Sequence, residues 1–73
     1  MTNKSALFVQ GQVLRSWRKK HRLSVRDVIR VAGCGRSTWY QYEQGRHEGP
    51  PLGKMADLER RWPGLMAAIR NGT

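Results

Sequence analysis

Apolar side chains recur along this chain in short clusters at helical spacing. Val13, Leu14 and Trp17 fall at i, i+1 and i+4, and His21 continues their stripe. The proline-free run from Gly11 to about Arg22 therefore predicts a first helix. Residues 1–9 predict a flexible or lightly docked arm, with Phe8 and Val9 stapling the helix start. Val25, Val28, Ile29 and Ala32 mark a second helix; their β-branching weakens its intrinsic propensity, so burial has to support it. Ser24 stands where an N-cap belongs and Asp27 follows three residues on, close to a capping box. Gly33-Cys34-Gly35 breaks that helix. A third helix follows from about Arg36 to Gln44, with Trp39 and Tyr42 facing inward and Gly45 closing it.

The loop Arg46–Pro51 holds two prolines and a glycine and forbids regular structure. A fourth helix is predicted from about Leu52 to Arg61, its apolar stripe formed by Leu52, Met55 and Leu58. Pro63 suits the first turn of a fifth helix carrying Leu65, Met66, Ala68 and Ile69, which Asn71-Gly72 ends. The expectation is an all-α domain of five helices over residues 10–73, preceded by the arm.

The chain has 73 residues, which predicts one domain with a small core. Fourteen basic residues against five acidic ones leave a net charge of +9. That excess points to a polyanionic partner, either nucleic acid or an anionic membrane surface. It is also unevenly placed. Residues 11–31 carry Arg15, Arg18, Lys19, Lys20, Arg22, Arg26 and Arg30 against Asp27 alone. Cys34 is the only cysteine, so no intrachain disulfide is possible and a cytoplasmic setting is expected. No apolar run approaches the ~20 residues that span a bilayer.

Nothing suggests an enzyme. No paired carboxylates and no Ser/His/Asp or Cys/His constellation stand out. Gly49 to Lys54 has the outline of a phosphate loop, but its spacing is wrong and two prolines remove N–H donors. No metal site and no cofactor are expected, because His21 and His47 lie far apart with no cysteine pair nearby.

Arg18, Leu23, Ser24, Gly33, Thr38, Glu43, Gly45 and Arg46 stand in an order and spacing that resembles the lambda repressor/Cro (XRE-type) helix-turn-helix family. The resemblance extends over roughly residues 10–72 and implies a lambda-repressor-like fold. It implies a regulator that reads double-stranded DNA, with the third helix in the major groove. Arg36, Ser37 and Gln41 match the family's base-reading positions. Arg36 has the chemistry for a bidentate pair on guanine, or for a phosphate contact; Gln41 suits adenine. Tyr40 is placed for a base, a thymine methyl or a phosphate. Ser24 and Arg26 stand at the second helix's N-terminus, where N–H groups favour anions. Gln44 and Arg46 match family backbone contacts. The counterpart of Arg18 in the family pairs with that of Glu43, so an Arg18–Glu43 salt bridge is expected.

The sequence also departs from the family. Val25 replaces a glutamine, Arg22 a glycine, Ile29 an alanine, Cys34 a valine, and Gly35 a capping serine or threonine. Most such proteins act as two-fold dimers on palindromic sites, and Leu65, Met66 and Ile69 are candidates for that contact; equally, the fifth helix could cap the monomer core. The favoured expectation is a small Cro-like autorepressor of phage or mobile-element type, with no membrane partner. The alternatives are a helix-turn-helix antitoxin, or the controller of a restriction or anti-CRISPR operon, with a protein-binding surface at 52–73.

Overall fold

A computed structural model describes residues 4–71, and no strand occurs among them. The chain forms α1 (Lys4–Lys20), α2 (Val25–Ala32), α3 (Arg36–Glu43), α4 (Leu52–Arg61) and α5 (Leu65–Asn71). α1 packs on α3 and α5, α2 on α3 and α4, and α4 on α5. Five helices thus close around one core, consistent with a lambda-repressor-like arrangement. That core holds Leu14, Trp17, Val28, Trp39, Met55, Leu58 and Leu65, with Trp39 fully buried. Every helix contributes to it, so each apolar stripe finds its partner only in the assembled bundle.

The first helix begins seven residues earlier than its sequence pattern suggests. Residues 4–9 are helical and not an arm; residues 1–3 of the expected arm lie outside the described residues. Phe8 and Val9 do not staple the helix start but stand exposed on it. Gly11, a residue that disfavours helix interiors, sits mid-helix for a packing reason. A Cβ there would lie 2.5 Å from the Glu43 carbonyl oxygen and 2.6 Å from that of Tyr42. α1 can approach α3 this closely only because position 11 has no side chain.

α1 ends in a Schellman motif: Leu23 N–H donates to the Arg18 carbonyl, and Arg22 N–H to that of Lys19. Arg22 takes the left-handed conformation that this motif needs, with φ 57°. A non-glycine residue therefore carries the strain at this corner.

Three further expectations are corrected. Leu52, assigned to the buried stripe of α4, is 75 % exposed, because the first residue of the helix projects beyond the packed turns of Met55 and Leu58. Pro63 precedes α5 by two residues and lies in the connecting turn. The helix start is organised instead by Glu59, whose carboxylate accepts from the N–H groups of Gly64 and Met66, each at 2.8 Å. Those donors hold the Glu59 carboxyl below its usual range. Leu65, a candidate for a dimer contact, is fully buried in the chain's own core. Met66 and Ile69 are partly buried and pack against that core.

The tryptophans are accounted for by packing. Trp17 Nε1 donates to the Trp62 carbonyl at 3.0 Å, and the two rings meet edge to face. No helix among the described residues is long and apolar enough to cross a membrane.

Candidate nucleic-acid interface

α2 and α3 are joined by a tight turn, and each end of α2 is capped. Ser24 Oγ accepts from Asp27 N–H at 3.2 Å, while Asp27 Oδ2 accepts from Ser24 N–H at 3.0 Å and from its hydroxyl at 2.9 Å. This is a capping box at the start of α2. The two hydrogen bonds from Ser24 keep the Asp27 carboxyl below its ordinary range. Ser24 therefore commits its hydroxyl to the cap, and Arg26, two residues on, presents an exposed cationic side chain beside it. At the other end of α2, Gly33 is left-handed (φ 68°) and its N–H reaches the Ile29 carbonyl at 2.8 Å. Cys34 is half-buried in the turn, and burial raises its thiol pKa, so it behaves as a small apolar side chain.

Gly35 caps α3 without a side-chain hydrogen bond. The eight-residue helix then divides into two faces. Trp39, Tyr42 and Glu43 are buried. Arg36, Ser37, Tyr40, Gln41 and, just past the helix end, Gln44 are all exposed, with Tyr40 at 42 %. Their spacing of i, i+1, i+4, i+5 and i+8 makes one continuous polar row on the outer face.

What holds this row in place is a charged anchor beneath it. Arg18 Nε donates to Glu43 Oε2 at 2.7 Å, and Nη2 donates to Oε1 at 3.2 Å. The remaining Nη1 reaches the Leu23 carbonyl at 3.0 Å. Trp39 Nε1 donates to the same Glu43 carboxylate. One ion pair thus ties α1, the α1–α2 corner and the inner face of α3 together. The hydrogen bond to Glu43 raises the Arg18 pKa, keeping it charged. The Trp39–Glu43 bond was not anticipated from the sequence, although the four-residue spacing of the two on one helix is a signal that could have found it; the bond from Arg18 to Leu23 has no such signal.

α3 also ends in a Schellman motif. Arg46 N–H donates to the Gln41 carbonyl at 2.9 Å and Gly45 N–H to that of Tyr42 at 3.2 Å. Gly45 has φ 73°, and a Cβ on it would lie 2.7 Å from the Phe8 Cα. Position 45 thus needs glycine both for its conformation and for contact with α1. The turn leaves Arg46 exposed directly after the polar row.

An all-helical domain whose third helix presents a row of polar side chains across a capped turn from the second is a helix-turn-helix domain, the architecture of a DNA-binding regulator. The family model for a helix-turn-helix domain matches residues 11–60, more than half of the chain, and the protein belongs to that family. The match runs from the body of α1 almost to the end of α4. No curated protein and no solved structure matches the chain.

Proposed function

We propose that this protein is a sequence-specific transcriptional regulator of double-stranded DNA, acting as a small Cro-like repressor of its own operon. The observation that carries the reading is the exposed row of Arg36, Ser37, Tyr40, Gln41 and Gln44 on a helix whose opposite face is locked by Trp39, Tyr42 and Glu43. Inserted in the major groove, Arg36 pairs with guanine O6 and N7, and Gln41 with adenine. Ser37 and Tyr40 contribute contacts of lower discrimination. Arg26, Gln44, Arg46 and the capped N-terminus at Ser24 grip the phosphates on either side, setting register without reading sequence. The net charge of +9 supplies long-range attraction to the duplex.

One such helix covers only a few base pairs. The proposed operator is therefore palindromic, bound by a homodimer with half-sites about 34 Å apart. Met66 and Ile69, each with part of its side chain still open on α5, are the proposed dimer contacts. Occupancy of such a site blocks a promoter.

A gel-shift titration tests this reading, using the DNA upstream of the protein's own gene and a scrambled duplex, at two salt concentrations. Selective retardation of the upstream DNA supports an autoregulator, and footprinting then gives the half-site spacing. Equal binding of both duplexes removes the sequence-specific claim.

A further inference from the structure

The exposed face of α1 holds cations that the helix-turn-helix itself does not use. Gln12, Arg15 and Lys19 are exposed at i, i+3 and i+7, which places them along one side of the helix. Arg15 also lines a cleft between α1 and α3, together with Arg18, Tyr40, Glu43 and Gln44. The recognition row and the basic side of α1 therefore share a boundary at Arg15. Arg15 and Lys19 belong neither to the Arg18–Glu43 ion pair nor to the Arg60–Asp57 pair.

The cleft's electrostatics favour an anion. Its one acid, Glu43, is already neutralised by Arg18 and further bonded by Trp39 Nε1. The remaining donors lining the cleft are the Arg15 guanidinium, the Tyr40 hydroxyl and the Gln44 amide. The same side of α1 runs on through Lys19 toward the corner that precedes Ser24 and Arg26.

We propose that Arg15 and Lys19 form a second phosphate grip: Arg15, with Gln44, holds one backbone phosphate at the edge of the groove, and Lys19 holds another along the same strand. This rests on the DNA-binding reading above and extends the interface from α2 and α3 onto α1. The grip is sequence-independent, because its donors meet only phosphate oxygens.

The test is the salt dependence of affinity, measured by fluorescence anisotropy with the full chain, the upstream duplex and a scrambled duplex. Each phosphate that is no longer neutralised reduces the slope of log affinity against log salt by about 0.9. Arg15→Gln is expected to lower it by about 0.9, and Arg15→Gln with Lys19→Gln by about 1.8. Between about 50 and 200 mM salt, the double variant should lose roughly twelvefold less affinity than the wild type. At the lower salt both duplexes should weaken by the same factor. Arg70→Gln, which removes a charge from α5, is the single-charge control, and its slope should match that of the wild type. Double-variant slopes equal to wild type overturn the proposal while leaving the DNA-binding reading intact. So does a fall in slope for Arg70→Gln equal to that for Arg15→Gln, which would reduce the effect to net charge. A wild-type chain that binds neither duplex overturns the DNA-binding reading and this grip with it.

Discussion

Arg18 and Glu43 meet across α1 and α3 in a two-point ion pair whose side chains are 13 % and 6 % exposed. The pair lies under the recognition row and not within it. It joins α1 to the inner face of α3, directly beneath the exposed side chains of that helix. Breaking a buried pair by removing one partner leaves an uncompensated charge, typically at a cost of about 3–5 kcal/mol. Arg18→Met should therefore destabilise the fold by about 3 kcal/mol in urea unfolding. Adding Glu43→Gln should recover part of that loss, because the amide oxygen still accepts from Trp39. An Arg18→Met variant within about 0.5 kcal/mol of wild type would mean the pair contributes no more than an exposed one.

Gly11→Ala tests the close approach of α1 to α3. The new methyl would meet two backbone carbonyls at 2.5 and 2.6 Å, and backbone cannot swing aside as a side-chain tip can. Alanine is the better helix former, so propensity alone favours the variant by up to about 1 kcal/mol. Overpacking should win, with a net loss of about 1–3 kcal/mol. A raised thermal midpoint would show that the helices are not so tightly apposed.

Arg22→Gly should have the opposite sign. Arg22 holds φ 57° in the Schellman turn, where a Cβ is unfavourable by about 1–2 kcal/mol. Glycine relieves that strain but gains freedom in the unfolded chain, so the expected net stabilisation is up to about 1 kcal/mol. Chemical denaturation at fixed salt reads it directly.

Acid should loosen two helix starts. Hydrogen bonds from Ser24 lower the Asp27 pKa, and the N–H groups of Met66 and Gly64 lower that of Glu59. Because both folded values lie below the unfolded ones, their stabilisation is complete above about pH 5 and disappears as pH falls through the folded values. Asp27→Asn and Glu59→Gln should each flatten the fall in thermal midpoint below about pH 5 while lowering the midpoint at neutral pH. Unchanged acid profiles would mean that the caps do not persist in solution.

Substitutions on the recognition row should separate binding from folding. Arg36→Ala and Gln41→Ala remove exposed side chains, so the thermal midpoint should stay within roughly a degree or two of wild type. Specific affinity should fall by about 1–3 kcal/mol for each base-reading side chain removed. Binding to a scrambled duplex should change much less. Full retention of specific affinity in both variants would place base reading elsewhere.

Much of this architecture was legible in the order of residues. Val28, Trp39 and Leu58 announced their burial through helical spacing, Ser24 and Asp27 announced a cap, and Arg36 to Gln44 separated into two faces. These features are local: they depend on 3.6-residue periodicity and on hydrogen bonds spanning three or four residues. The start of α1, the exposure of Leu52 and the burial of Leu65 depend instead on contacts between segments distant in the chain. The local pattern started α1 at Gly11, whereas the reason for a glycine there is the carbonyl of Glu43, thirty-two residues away. The sequence left Leu65 open between a partner and the chain's own core, because an apolar stripe does not say what covers it; the fold buries it in the core. Periodicity establishes which side of a helix must be hidden; only the packed bundle chooses the surface that hides it, and so which side chains remain for DNA.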